Sequence, residues 1–375
     1  MYNSLSNIFR LGIKEFWSLW RDPMMLVLII YAFTVSVYIQ SKGMPETLQK
    51  AAIAITDEDQ SPVTNRIRDA FVPPYFNRPA YISQSEIDMG MDSGIYTFAL
   101  DLPPNFQRDL LDGRHPSVQL NIDATRMTQA FTGGGYIQQI LNDEVSGFVQ
   151  RYRKIVPSPA DLVTRVRFNP NLTQFWFAAV IQVIDNVTML SIILTGAALI
   201  REREHGTIEH LLVMPITPFE IMTAKIWSMG LIVLIACAFS LVVIVRCFMG
   251  VPIEGSIALF LAGTAINLFA TTSIGIFLGT FAKSMPQFAL LVILIMIPLQ
   301  MLSGGLTPRE NMPQFVQFIM LGAPTTHFVS LAQGILYRGA DITVVWPQFI
   351  AIAIIGVVFF TIALSMFGKR ISSMT

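Results

Sequence analysis

Apolar residues recur along this chain with changing periods, and the changes divide it. In residues 5–20, LSNIFRLGIKEFWSLW, Leu5, Ile8, Phe9, Gly12, Ile13, Phe16, Trp17 and Trp20 fall at i, i+3, i+4 spacing. Arg10, Lys14 and Arg21 lie off that stripe. An aromatic-rich face opposite a basic one predicts a helix lying in the lipid headgroup plane. Beyond Pro23 the stripe gives way to a continuous apolar run, residues 24–40. It is short for a ~30 Å hydrocarbon core but is expected to span it. Its long basic leader and the lack of a small-x-small cleavage pattern predict an uncleaved signal anchor.

Residues 42–174 change register. AAIAIT (51–56), IYTFALDLP (95–103) and SVQLNIDAT (117–125) are strand candidates, the last alternating Val118, Leu120 and Ile122 with Gln119, Asn121 and Asp123. Ser61-Pro62 opens a helix over 61–71, Gly113 closes one over 103–113, and 127–154 predicts a further helix, interrupted at Gly133–Gly135. Strands alternating with helices predict a small α/β domain with a mixed sheet.

From about residue 174 the lipid-type pattern returns in five blocks: 175–200, 226–246, 256–282, 285–303 and 346–367. With the first run this makes six expected spans. Segment 304–345 is too apolar to be freely solvated. Pro308, Pro313 and Pro324 cut it into pieces too short to span, so it is expected to form short re-entrant helices. The expected organisation is therefore residues 1–41 as interfacial helix and first span, 42–174 as the α/β domain, and 175–375 as spans two to six.

Composition strengthens the membrane assignment. The chain is 53% hydrophobic and 13% charged, against about 25% charged in soluble domains, with mean hydropathy +0.56. Net charge is zero, which points to neither nucleic acid nor an acidic substrate. Residues 42–174 hold 28 of the 50 charged side chains, so the remainder is suited to lipid. Arg10, Lys14, Arg21, Arg201, Arg203, Lys225, Lys283, Lys369 and Arg370 fall on one side of the expected topology, and Arg246, Arg309 and Arg338 on the other. The positive-inside rule then predicts cytoplasmic termini and an extracytoplasmic α/β domain. Cys237 and Cys247 lie ten positions apart, about 15 Å along a helix, beyond disulfide reach.

Candidate chemistry is sparse. REREHGTIEH, residues 201–210, suggests zinc through His205, Glu209 and His210. Metalloprotease helices need H-E-x-x-H or H-x-x-E-H, however, and the order here is H-x-x-x-E-H. No metal site is expected. LSGGL (302–306) is one letter from an ATPase signature. The phosphate loop such an ATPase needs is absent: the Gly368-Lys369 pair has Ala363 in place of the first glycine and Arg370 after the lysine. No G-x-S-x-G nucleophile motif occurs. Within 175–200, Gln182, Asp185, Asn186 and Met189 share a helix face. An acid at that depth signals a proton relay or substrate contact. The alternative is interhelical hydrogen bonding shared with Asn267 or Gln300, which the want of a partner chain of charges favours.

Residues 201–225, REREHGTIEHLLVMPITPFEIMTAK, resemble the cytoplasmic connection of ABC-2 type permeases, the membrane subunits of one class of ABC exporter. The matching positions are Arg201, Glu202, Arg203, Glu204, Gly206, Thr207, Glu209, Leu211, Pro215, Glu220 and Lys225. WRDP before the first span, IDATRMTQAFTGGGYI in the external domain and SGGLTPRENMP leading to PTTHFVSLAQGILYRG extend the resemblance in family order. The resemblance implies a six-helix, non-catalytic permease subunit of the bacterial inner membrane, paired with a like or unlike second permease subunit. A separate chain would bind ATP and Mg and drive export of a drug-like, lipid or other amphipathic substrate. It further implies that 201–220 couples to that ATPase through Arg201, Glu202, Glu204, Gly206, Thr207, Glu209, Leu212, Pro215, Glu220 and Lys225. Glu202, Glu204 and Glu209 would face basic residues of the partner's groove. Asp185, Asn186, Asn267 and Gln300 would line the translocation pathway, and a periplasmic adaptor with an outer-membrane channel could engage the external domain. The pattern requires neither His205 nor His210. A proton-coupled transporter using Asp185, or a membrane-anchored extracytoplasmic scaffold or sensor, are the competing readings.

Overall fold

The computed structural model describes residues 2–43, 48, 50–125, 127–152, 174–204, 206, 216–305, 307 and 309–372. It forms two compact units, residues 1–44 with 166–375 and residues 45–165. Helix α1, Tyr2–Trp20, opens the first unit. Asp22 then caps α2, Pro23–Tyr31, accepting from the Met25 N–H at 3.2 Å, with Pro23 in the first turn where its missing N–H costs nothing. A π-helical turn, Ala32–Ser36, leads into α3, Val37–Gly43. Together Pro23–Gly43 is one membrane-length helix.

The second unit is built on a four-stranded sheet of order β2-β1-β3-β4. In chain order its elements are β1 (Ile53–Asp57), α4 (Pro62–Asp69), β2 (Ala80–Tyr81), α5 (Ile87–Asp92), β3 (Phe98–Leu102), α6 (Phe106–Asp112), β4 (Gln119–Ile122) and α7 (Met127–Tyr152). Strand β1 runs parallel to β2 and β3, and β3 antiparallel to β4, with Leu100 opposite both Ile55 and Leu120. Ser61 and Thr64 form a reciprocal capping box that starts α4. Ile53, Ile55, Phe98 and Leu100 bury one face against Val63, Ile67 and Ile137.

Where an interruption is expected at Gly133–Gly135, α7 is continuous. Gly133 is a contact point instead: a Cβ there would lie 2.2 Å from the Phe98 ring. Gly133→Ala should therefore lower the stability of this unit by about 1–3 kcal/mol through overpacking, despite the roughly 1 kcal/mol that alanine gains over glycine in a helix. Urea-dependent proteolysis of the full chain at sites in this unit reads the change, and unchanged protection would refute the contact.

The first unit resumes with α8 (Gln174–Glu204), α9 (Pro218–Phe239, continued by a π-helical segment Ser240–Phe248), α10 (Ile257–Phe281), α11 (Met285–Met301), α12 (Gln314–Met320), α13 (Pro324–Arg338) and α14 (Ile342–Ser372). Among the described residues, five helices are long and apolar enough to cross a membrane: Pro23–Gly43, Phe175–Glu204, Pro218–Phe248, Ile257–Phe281 and Ile342–Lys369. Counting the bent pair α12–α13 as one span gives six.

Two expected spans differ. The 285–303 block forms a helix of 17 residues, about 25 Å long, which runs through Pro298 and ends ahead of Gly304, where φ is +93°. The 226–246 block begins at Pro218, eight residues early, because Thr217 and Glu220 form a capping box there. Lys225 consequently lies inside a helix. Segment 304–345 holds α12 and α13, bent by 88°.

Packing inside this unit is typical of lipid-embedded helices. Phe33, Val37, Ile184, Val187, Phe260 and Phe328 are buried at its centre. Thr188, Thr195, Thr264, Thr272 and Thr280 return their hydroxyls to carbonyls four residues back. Ser191 reaches across from α8 to Thr271 of α10 at 2.7 Å. Ile350, Ile354, Val357 and Val358 of α14 instead face outward, as a lipid-contacting helix requires.

Candidate functional site

The last turn of α8 carries four consecutive charges, and each engages a different part of the first unit. Arg201 pairs with Asp22, the residue that caps α2. Glu202 binds Lys225 of α9 at 2.7 Å and Lys14 of α1 at 2.6 Å. Arg203 donates to the carbonyl of Ala282 at 2.6 Å, satisfying the C-terminal end of α10. Glu204 accepts from the Met285 N–H at 2.9 Å, at the first residue of α11. The R-E-R-E run thus ties α8 to α1, α2, α9, α10 and α11 at one end of the unit.

Within this hub Lys225 is 2% exposed and also binds Glu15 of α1 at 2.8 Å. Lys14, Glu15, Glu202 and Lys225 sum to zero charge. Pairing on this scale is what makes a buried ammonium tolerable. Burial pushes the Glu15 carboxyl above its ordinary range, and the Lys225 ammonium pulls it part of the way back. Trp227 completes the α1–α9 contact. It stacks on Phe9, meets Phe16 edge-on and donates to the Ile8 carbonyl at 3.3 Å. Gly12 makes room, since a Cβ there would sit 2.0 Å from the indole.

Of the residues expected to couple to a partner, Arg201, Glu202, Glu204 and Lys225 form this intrachain hub. Glu220 serves the cap of α9, accepting from the Thr217 N–H at 2.8 Å. Gly206 ends α8 in the left-handed region at φ +67°, and its N–H reaches the Arg203 carbonyl at 3.2 Å. Thr207, Glu209, Leu212 and Pro215, with His205 and His210, lie outside the described residues.

Farther along α8, Asp185, Asn186 and Gln300 come together around a cavity of about 330 Å³, joined by Tyr31, Ser36 and Gln182. Asn267 is not among its lining residues. It is fully buried on α10, and its side-chain amide has no hydrogen-bond partner among the described residues.

Sequence reasoning missed Glu15 and Asp22 as hub members and placed Lys14 on the basic face of a helix in the headgroup plane. The one available signal was WRDP, whose Asp22 caps α2 and holds Arg201.

A family model described as "ABC-2 family transporter protein" matches residues 18–365. Over 370 residues the chain is 62% identical to the inner membrane transport permease YhhJ of Escherichia coli (strain K12), with 99% of each chain covered. It is 26% identical over 373 residues to the probable multidrug ABC transporter permease YbhR of the same organism, covering 99% of this chain and 100% of that one. Similarity to the probable multidrug ABC transporter permease YbhS of E. coli (strain K12) is 24% over 342 residues, 88% of each.

Proposed function

The chain belongs to the ABC-2 transporter family, and from that premise we propose that it is the permease subunit of an ABC exporter. It is a multi-pass membrane protein, and its family implies an ABC ATPase as partner. In the proposed assembly two permease subunits form the pathway for an amphipathic substrate. The termini and the segment between α8 and α9 face the cytoplasm and the ATPase, and the α/β unit stands outside, available to an adaptor. ATP and Mg belong to the partner chain.

The observation that carries this reading is the hub. Residues 205–217 are bounded by Glu204 on one side and by the capped start of α9 on the other. Both flanking helices converge on Glu202 and Lys225. A push delivered between them would thus reach α1, α2, α10 and α11 through the contacts of residues 201–204 and Lys225. A buried ion-pair cluster suits this role because it has a definite register and resists continuous deformation. Glu202 and Glu204 then act by transmitting force inside the permease, leaving the segment after Gly206 to make the partner contact.

Gly206→Pro tests this. Proline fixes φ near −65°, incompatible with the +67° at this turn. The variant, co-expressed with an ABC ATPase that co-purifies with the unmodified chain, is expected to reach the membrane with a local loss of stability of about 1–3 kcal/mol. It should lose most ATP-dependent efflux from inverted vesicles. A chain that retains no ATPase, and whose flux is indifferent to vanadate, would dismiss the exporter reading.

A further inference from the structure

The cavity around Asp185 is lined by one acidic side chain and, among the described residues, by no basic one. It lies between α8 and the first span, at the π-helical turn, and α11 closes another side. π turns inside α-helices concentrate at functional sites. Two of its amides are tied to each other and to the first span. Gln182 gives its N–H groups to Ser36 Oγ at 3.0 Å and Asn186 Oδ1 at 3.1 Å, and Asn186 donates to the Ala32 carbonyl at 2.5 Å. None of these bonds reaches the Asp185 carboxyl, which lines the cavity together with Tyr31, Gln40 and Gln300. Among the described residues no Lys, Arg or His pairs with Asp185. The hub shows the contrast, since there every buried carboxylate has a cationic partner on this chain.

An acid held inside a span without a counter-ion is costly, and a cation that enters supplies the missing charge. Tyr31 adds an aromatic face suited to an ammonium group. Leu28, Met189, Ile297 and Met301 add apolar wall for the carbon substituents of such a group. A volume of about 330 Å³ is at the small end of ligand cavities, enough for a headgroup but not for a long tail.

From this arrangement we infer that the cavity is a recognition subsite for the cationic headgroup of an amphipathic substrate, a quaternary or protonated amine, with Asp185 as its counter-ion. The inference rests on the permease reading and gives it a substrate class. It also gives Gln182, Asn186 and Ser36 a purpose: their hydrogen bonds fix the wall of the subsite beside Asp185.

Equilibrium binding to the complex with its ATPase in lipid nanodiscs tests the subsite, using two probes of nearly equal shape. Dodecyltrimethylammonium carries the charge, and dodecyldimethylamine N-oxide is net neutral. The unmodified protein is expected to prefer the cation by ~10-fold or more, as a desolvated charge pair should. Asp185→Asn should abolish that preference and leave N-oxide affinity within about twofold, whereas Asp185→Glu should retain most of it. Equal affinity for the two probes in the unmodified protein, or a preference that survives Asp185→Asn, would overturn the inference. Loss of both probes from a folded Asp185→Asn protein would also overturn it, since the acid would then serve as a proton site or a packing element. ATPase co-purification is scored separately. If the ATPase is retained without cation preference, only the subsite fails; cation preference without any ATPase refutes the exporter reading instead.

Discussion

Lys225→Met is expected to destabilise the membrane unit by about 3–5 kcal/mol, the usual cost of removing one partner from a buried ion pair. The methionine fills similar volume, so the loss is electrostatic. Glu202 keeps Lys14, which is half exposed and whose pairing is worth at most about 1 kcal/mol. Glu15, buried against Lys225, loses its cation.

The sign of the pH dependence follows from Glu15. Its carboxyl already sits above the ordinary range because of burial, with Lys225 pulling it down. Without Lys225 it rises further. A raised folded-state carboxyl pKa means the folded chain binds more protons than the unfolded one, so stability falls as pH rises from the unfolded carboxylate pKa toward the folded value. The deficit of Lys225→Met should therefore be largest at neutral pH and shrink on acidification. Adding Glu15→Gln should recover part of it at pH 7.5 and remove most of the pH dependence. Thermal unfolding of the purified chain across pH 5–8 measures both. A deficit independent of pH would mean that Lys225 acts through packing alone.

A second large effect is expected at the contact of α8 with α10. Gly275 and Gly279 form a G-x-x-x-G pair on α10, facing the backbone of α8 from Ile192 to Gly196. A Cβ on Gly275 would lie 2.7 Å from the Ile192 carbonyl oxygen, and one on Gly279 3.1 Å from the Gly196 oxygen. Gly196 completes the fit, since its own Cβ would meet the Gly275 oxygen at 2.9 Å and the Phe288 ring at 2.2 Å. These obstructions are largely backbone, which cannot rotate away, so the helices themselves must separate. Separation would also break the Ser191–Thr271 hydrogen bond.

Gly275→Leu should cost about 3 kcal/mol or more and strongly reduce the folded fraction recovered in detergent. Gly230→Ala is the matched control. Its added methyl would meet Leu268 Cβ at an ordinary 3.8 Å, so helix propensity should leave it neutral or about 1 kcal/mol more stable. Equal behaviour of the two variants in a thermal shift assay would rule out close backbone approach as the reason for Gly275.

Local signals in the sequence were informative where the physics is local. Ser61-Pro62 and Asp22-Pro23 mark helix starts because a side-chain oxygen reaches an N–H two or three residues on, whatever the rest of the chain does. Apolar runs mark membrane helices because hydrocarbon excludes polar side chains over any stretch of sufficient length. The same logic misplaced the start of α9 at residue 226, leaving Glu220 and Lys225 outside the span as residues coupling to a partner. One caps the helix and the other is neutralised by residues 210 and 23 positions earlier in the chain. A helical interruption was likewise expected from the glycines of α7, although only the proximity of Phe98 explains Gly133.

The charged stretch at 201–204 divides along the same line. Its place at the end of an apolar run, its resemblance to a family connection and its lack of zinc spacing are properties of the sequence. The partner of each charge is not, because Asp22, Lys14, Lys225, Ala282 and Met285 reach it only after the helices pack. The cavity follows the same division, for Asp185 is visible as an acid in a span. That no cation among the described residues pairs with it, while Gln182 and Asn186 bond to the first span, depends on how the π-helical turn of that span meets α8. The sequence by itself determined which segments enter lipid and where helices begin by local capping, since those free energies belong to neighbouring residues. The tertiary structure alone decided which buried charges are neutralised, because that energy depends on distances between residues far apart in the chain.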